Sequence, residues 1–154
     1  MSEAEFRSRC ARCGACMRAC PTAGLQPAVA EAGWDGVFTP ILVPQAGWCE
    51  KACTACGQVC PTGALQPFQV GEKPQIKLGL ATVHHDRCLS WRKRDEYRRC
   101  LICAEVCPYN AAQARETEGE IRPVVSAENC TGCGQCENKC PVKPGAAIVV
   151  RRSE

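Results

Sequence analysis

The 154 residues carry 19 Lys and Arg against 16 Asp and Glu, a net charge of +3, and include 16 cysteines. So high a cysteine fraction marks either a disulfide scaffold or a dense set of metal sites. Leu, Ile, Val and Phe together number only 27, too few for an ordinary hydrocarbon core, and a charge this small excludes self-repulsion as the reason. Metal–sulfur cages filling the interior, with binding coupled to folding, account for both facts. No run approaches the ~18 apolar residues of a membrane span. The opening Met1-Ser2-Glu3-Ala4-Glu5-Phe6 shows no basic region followed by an apolar run, as a secretory signal would. With the thiols read as reduced, the expectation is a cytoplasmic protein, or an exported one if a signal has been removed.

Along the chain, the first cysteine group is Cys10, Cys13, Cys16 and Cys20, followed by Pro21. Its pattern, C-x2-C-x2-C-x3-C-P, is the bacterial ferredoxin spacing. Three thiolates two residues apart let one tight loop wrap three corners of a cubane, and the small residues Gly14 and Ala15 admit backbone N–H groups to the sulfides. The fourth cysteine is expected on a short helical turn, pointing at a different cluster, as in two-cluster ferredoxins. The proline then sets the chain into an extended segment.

The stretch from Gly33 to Pro44, with Trp34, Val37, Phe38, Ile41, Leu42 and Val43, is the most apolar in a polar chain. It is read equally as a cover for one module or as part of a subunit interface, where aromatic anchors are enriched. Cys49, Cys53, Cys56 and Cys60 form the second group, with three residues in the first gap and Pro61 at the end. Its first three cysteines resemble the radical SAM signature, but Cys60 completes a fourth ligand position and 154 residues cannot hold that family's barrel. The segment Cys60-Pro61-Thr62-Gly63-Ala64-Leu65-Gln66-Pro67 echoes Cys20-Pro21-Thr22-Ala23-Gly24-Leu25-Gln26-Pro27, which indicates duplication of one unit.

Ala64–Phe68 and Leu80–Val83 are strand-like runs flanking a turn-rich 71–74. His84 and His85 follow, read as solvated strand residues because each cysteine group already supplies four ligands. The third group is Cys88, Cys100, Cys103 and Cys107, then Pro108. Eleven residues fill its first gap, and 92–99 holds five basic and two acidic side chains. That segment reads either as a solvated loop or as a docking patch for an acidic partner. Nucleic acid is disfavoured by the modest overall charge. Strand-like Glu120–Val125 precedes the fourth group, Cys130, Cys133, Cys136, Cys140 and Pro141, with Gly132 and Gly134 in the regular spacing. Strand-like Ala146–Val150 follows.

No cysteine is left over. Random disulfide pairing gives no reason for a fourfold x2-C-x3-C-P, and zinc sites use separated C-x2-C knuckles, often with histidine. The expectation is therefore four [4Fe–4S] clusters on sixteen cysteines in an α+β chain: two bacterial dicluster-ferredoxin-like modules of short strands, brief helices and loops. Neither a catalytic serine or threonine arrangement nor a phosphate-binding glycine loop is present.

The chain resembles the ferredoxin-type NapG/MauM group and related polyferredoxin subunits. The resemblance is carried by Cys10-x2-Cys13-Gly14-x-Cys16-x3-Cys20-Pro21, by Phe38-Thr39-Pro40 and by Cys56-Gly57-Gln58-Val59-Cys60-Pro61-Thr62-Gly63. The long third motif, from Cys88-Leu89-Ser90-Trp91 to Arg99-Cys100 and on to Cys107-Pro108, and Cys130-x-Gly132-Cys133-Gly134-x-Cys136-Glu137 complete it. Residues 5–150 are covered. The resemblance implies four clusters relaying electrons between redox partners.

Four-cluster subunits of molybdenum and tungsten oxidoreductases look similar in architecture, and there motif one pairs with four and two with three. By that analogy the expected modules are nested, 5–30 with 125–150 and a separate 45–110, inside one four-cluster domain. Cys10, Cys13 and Cys16 would then share a cluster with Cys140, and Cys130, Cys133 and Cys136 with Cys20. Cys49, Cys53 and Cys56 would join Cys107, while Cys88, Cys100 and Cys103 would join Cys60. Sequential pairing, one with two and three with four, is the competitor. The leading functional expectation is a non-catalytic electron-transfer subunit between a catalytic oxidoreductase, such as a tungsten or molybdenum aldehyde oxidoreductase, and a second redox protein. A free diffusible polyferredoxin and a structural metal protein are the alternatives. Self-association has no motif of its own.

Overall fold

The computed structural model describes residues 2–92 and 99–152. Most of the basic loop noted above, Lys93–Arg98, lies outside the described residues. The chain divides into two compact units, Met1–Lys73 and Pro74–Glu154. This replaces the nested modules expected over 5–30 with 125–150 and over 45–110: each unit is built from two consecutive motifs.

The first unit opens with α1 (Glu3–Arg9). Ser2 Oγ accepts from Glu5 N at its start, acidic residues occupy its first turn and Arg7 and Arg9 its last, which suits the helix dipole. The motif-one loop then enters α2 (Ala15–Ala19) through Gly14 in the left-handed region, φ +70°. Next come β1 (Leu25–Pro27) and, after a 3-10 turn at Trp34–Gly36, β2 (Pro40–Leu42). These two strands pair antiparallel, Leu25 opposite Leu42. Motif two follows with α3 (Ala55–Gln58), which packs against α2. The unit ends in a 3-10 turn, Val70–Gln75, that runs across the division.

The second unit comprises β3 (Leu80–Val83), α4 (Ile102–Glu105), β4 (Ala112–Thr117), β5 (Glu120–Val125), α5 (Gln135–Asn138) and β6 (Ile148–Arg151). β3 pairs antiparallel with β6 and β4 with β5, the latter through a tight turn at Glu118 and Gly119, both at positive φ. α4 packs on α5. The core of this unit is Ala81, Ala111, Ala147 and Ile148 together with five of its cysteines. Small side chains and thiols therefore occupy the place of a hydrocarbon core, as the composition required.

The strand-like runs at 80–83, 120–125 and 146–150 form strands, the last shifted to Ile148–Arg151. Ala64–Phe68 does not. That segment lies against Gly57, where an added Cβ would stand 2.5 Å from Gln66 O, so its backbone is engaged by a helix instead of a partner strand. His85 is not simply solvated: its ring stacks on Trp91 at 3.6 Å between centroids and 5° between planes.

Candidate metal centres

Each motif builds the same local device. The third cysteine (Cys16, Cys56, Cys103, Cys136) sits inside a four- or five-residue helix, and the fourth (Cys20, Cys60, Cys107, Cys140) comes just after that helix ends. The fourth cysteine was expected on the helical turn and lies immediately beyond it. There the chain turns back, so that main-chain N–H groups converge on its sulfur. Leu65 N donates to Cys60 Sγ at 3.4 Å, Ala111 N and Ala112 N to Cys107 Sγ at 3.2 and 3.4 Å, and Ala147 N to Cys140 Sγ at 3.3 Å. Burial pushes the Cys20 and Cys60 thiols up, but side-chain and main-chain donors outweigh it, and both come down from the ordinary thiol value. Those donors are the Thr22 and Thr62 hydroxyls and the N–H groups of Thr22, Gly24 and Leu25 and of Thr62, Ala64 and Leu65.

In the first unit a hollow of about 360 Å³ is bordered by Cys10, Cys13, Cys16 and Cys60. The second set is Cys49, Cys53 and Cys56, close enough for the first two to raise the Cys56 thiol after burial has done most of it. Cys20 is brought toward this set because the Thr22 hydroxyl donates to Trp48 O, one residue before Cys49. Gly47 makes that approach possible: a Cβ there would stand 2.0 Å from Thr22 O.

The second unit repeats the arrangement. Cys130, Cys133 and Cys136 border a hollow of about 330 Å³ together with Cys107. Burial raises Cys103 to about 12, with Cys88, Cys100 and Cys140 adding to it, so those four thiols form the remaining set. The same crowding, after burial, raises Cys88 and Cys136.

These groupings correct the nested pairing. Cys60 and not Cys140 stands with Cys10, Cys13 and Cys16, and Cys107 and not Cys20 stands with Cys130, Cys133 and Cys136. Cys140 and not Cys60 stands with Cys88, Cys100 and Cys103. The physical reason is the chain between motifs. Strands β1 and β2 fold the 28 residues from Pro21 to Trp48 back on themselves, and the antiparallel pair β4–β5 does the same between motifs three and four. Each motif is thus returned to its sequence neighbour.

The hollows fit an iron–sulfur cage and not a bare ion. Among the described residues no three His, Cys, Asp or Glu side chains converge closely enough to hold a single metal ion. A tetrahedral zinc site would draw its thiolates to about 3.8 Å from one another. Thr131 makes the same point from the wall. Its hydroxyl is buried, has no partner among protein atoms, and borders the hollow of Cys130 and Cys133. A buried hydroxyl without a partner is costly, and a sulfide or thiolate in that hollow would accept from it. Sequence reasoning passed over Thr131 because a threonine between two ligands carries no pattern.

Comparison with known proteins agrees on the kind of group these hollows would hold. The 4Fe-4S dicluster domain family matches residues 48–111 and 98–143, and the 4Fe-4S binding domain family matches 6–26. The methylamine utilization ferredoxin-type protein MauM of Paracoccus denitrificans is 33% identical, over 99% of this chain and 69% of its own length. The chain belongs to this ferredoxin-type family. MauM of Methylorubrum extorquens is 34% identical over 99% of this chain and 70% of its own. The ferredoxin-type protein NapG of Escherichia coli K12 is 33% identical over 97% and 67%. As a member of the family the chain is an electron-transfer protein that carries [4Fe–4S] clusters, with an α+β fold and ferredoxin-type cluster domains.

Proposed function

We propose that this protein relays single electrons through four [4Fe–4S] clusters, two per unit, between a catalytic oxidoreductase subunit and a second redox protein. The observation that supports the reading is that Cys60, Cys107 and Cys140 stand with cysteines of the adjacent motif, while Thr22 draws Cys20 toward Cys49. The proposed ligand sets are Cys10, Cys13, Cys16 with Cys60; Cys49, Cys53, Cys56 with Cys20; Cys88, Cys100, Cys103 with Cys140; and Cys130, Cys133, Cys136 with Cys107.

When bound, the clusters supply one-electron redox chemistry with little atomic rearrangement. The chain's contribution is position and electrostatics. The first three cysteines of each motif, two on its loop and one on its short helix, would fix three corners, the returning N–H groups donate to the fourth sulfur, and small core residues let neighbouring hollows lie close inside one unit. A donor to sulfur stabilises the more negative, reduced state and raises the potential. A tungsten or molybdenum oxidoreductase as catalytic partner is supported only by the architectural analogy of such four-cluster subunits.

Anaerobically purified protein is expected to contain sixteen irons per chain and to bleach on reduction. Zinc in place of iron would reject the relay. The pairing is read separately: Cys60→Ala and Cys13→Ala must perturb the same electron paramagnetic resonance signal, and Cys140→Ala a different one. Native pull-down at high salt identifies the partner, and recovery of a lone monomer would favour a freely diffusing carrier.

A further inference from the structure

Among the described residues three acidic or basic side chains are buried: Lys73 at 4% exposure, Arg122 at 3% and Glu137 at 3%. They are unevenly divided. Lys73 belongs to the first unit and donates to the main-chain oxygens of Glu50 and Cys53, the latter at 2.7 Å, so neutral carbonyls hold its charge against the motif-two loop. Its loop neighbours Glu50 and Lys51, neither of them buried, offset each other. In the second unit the Arg122 guanidinium is paired with Glu118 and Glu120, at 2.8 and 2.9 Å. Glu137 there follows Cys136 directly, and its carboxyl oxygen accepts from Val150 N at 2.6 Å. The cysteines differ in the same sense. Six of the eight in the second unit are buried, against Cys16 alone in the first, where Cys13 is exposed. Adding an electron adds negative charge, which costs more where water is excluded and less beside a fixed cation. Exposure and buried charge both favour the first unit.

Two effects run the other way and are weaker. Leu65 N and the Thr62 and Thr22 hydroxyls serve sulfurs of the first unit, with the Thr22 proton divided between Cys20 Sγ and Trp48 O. The N–H groups of Ala81, Ala111, Ala112 and Ala147 serve the second, where the Thr131 hydroxyl also borders the hollow. The second unit is thus slightly richer in donors, but a neutral donor counts for less than a full charge in a poorly screened interior. The second unit also has thirteen basic and ten acidic residues against six and six in the first. That excess lies mostly outside the core, where solvent and salt screen it.

We propose that the relay has a built-in direction: electrons enter at the second unit and collect in the first, where the buried Lys73 holds them at the set of Cys20, Cys49, Cys53 and Cys56. The proposal rests on the relay reading. One electron passes per step: the group held by the second unit is oxidised, the group held by the first is reduced, and no bond is made or broken. The electron donor then serves the second unit and the acceptor the first.

The test titrates the full cluster-loaded chain anaerobically with dithionite and follows it by electron paramagnetic resonance. Cys53→Ser assigns the signal of the motif-two set, and Cys100→Ser and Cys133→Ser assign those of the second unit. A variant that drops its cluster assigns equally well, by the signal that vanishes and the fall in iron content. The first electron is expected in the signal that Cys53→Ser alters, with at least a tenfold preference over both signals of the second unit, or about 59 mV for one electron. Lys73→Met is expected to cut that preference several-fold at parental iron content, and Lys73→Arg to keep it. A first electron in the second unit, or even filling of both, would overturn the proposal. An unmoved preference in Lys73→Met would overturn the part given to that lysine. Loaded protein that dithionite does not reduce at all would instead remove the relay reading.

Discussion

Lys73 Nζ lies 2.7 Å from the main-chain oxygen of Cys53 and also donates to the main-chain oxygen of Glu50. The side chain is only 4% exposed, and its ammonium stands 5.9 Å from the centre of the Phe68 ring. A buried cation thus clamps the motif-two loop, where the first gap is one residue longer than the regular spacing. Lys77, an exposed lysine, clamps motif four, donating to Glu128 O at 2.6 Å and Cys130 O at 2.9 Å.

Replacing Lys73 by Met removes two charge-assisted bonds and strands two carbonyl groups. The loaded protein should lose about 2 kcal/mol of stability in chemical unfolding. The lost positive charge should also lower the potential of one cluster, by tens of millivolts at an effective dielectric of about 20. Redox titration followed by electron paramagnetic resonance should show one signal moved and Lys73→Arg nearer to the parent.

Thr131→Val tests the hydroxyl that borders the hollow of Cys130 and Cys133. No protein hydrogen bond is lost, so stability should change by less than about 1 kcal/mol. The potential of the cluster proposed for Cys107, Cys130, Cys133 and Cys136 should fall, because a donor favouring its reduced state is gone. Unchanged potentials would show that the hydroxyl finds no acceptor there.

Two glycines of matching conformation should behave differently. Gly14 and Gly132 have φ of +70° and +71°, yet an added Cβ meets nothing within 4 Å at Gly14 and stands 2.3 to 2.6 Å from the Gly79 backbone at Gly132. Gly14→Ala should cost about 1–2 kcal/mol of conformational strain. Gly132→Ala should cost on the order of 3 kcal/mol or more, visible as loss of soluble, iron-loaded protein.

The thiol environment predicts how the iron-free chain responds to pH. Burial above all holds Cys16, Cys56, Cys88 and Cys103 above the ordinary value of 9.0, Cys103 at about 12. A thiol with a raised folded value keeps its proton longer in the folded state. Its contribution to stability is therefore complete below about pH 8 and is lost as pH rises through 9 toward 12. Chelated protein should lose stability across that alkaline window in thermal melts. Loaded protein should not show this slope, because coordinated thiolates have no proton to lose. Reconstitution with iron and sulfide should slow as pH falls.

The four cysteine groups are legible because ligand spacing is a local property, written within about twenty residues of chain. Their pairing is not, because it depends on how the intervening segments turn back. Three-residue strands such as β1 and β2 leave no periodicity to read. β5 was visible in Ile121, Val124 and Val125, whereas β4, Ala112–Thr117, carries Gln113, Arg115 and Glu116 and no apolar alternation. Lys73 was invisible in a polar turn, since nothing in a lysine's neighbours along the chain announces that three dimensions will bury it. Trp91 entered only as a residue of the long third motif. In the fold its ring stacks on His85 and has the Arg122 guanidinium 4.7 Å from its centre, and Arg122 pairs with Glu118 and Glu120.

In the proposed ligand sets adjoining motifs trade their last cysteine, which makes two motifs the smallest complete piece of this polypeptide. Deleting a single repeat would leave its neighbour one corner short as well, so a lineage of such chains can lengthen or shorten only by even steps.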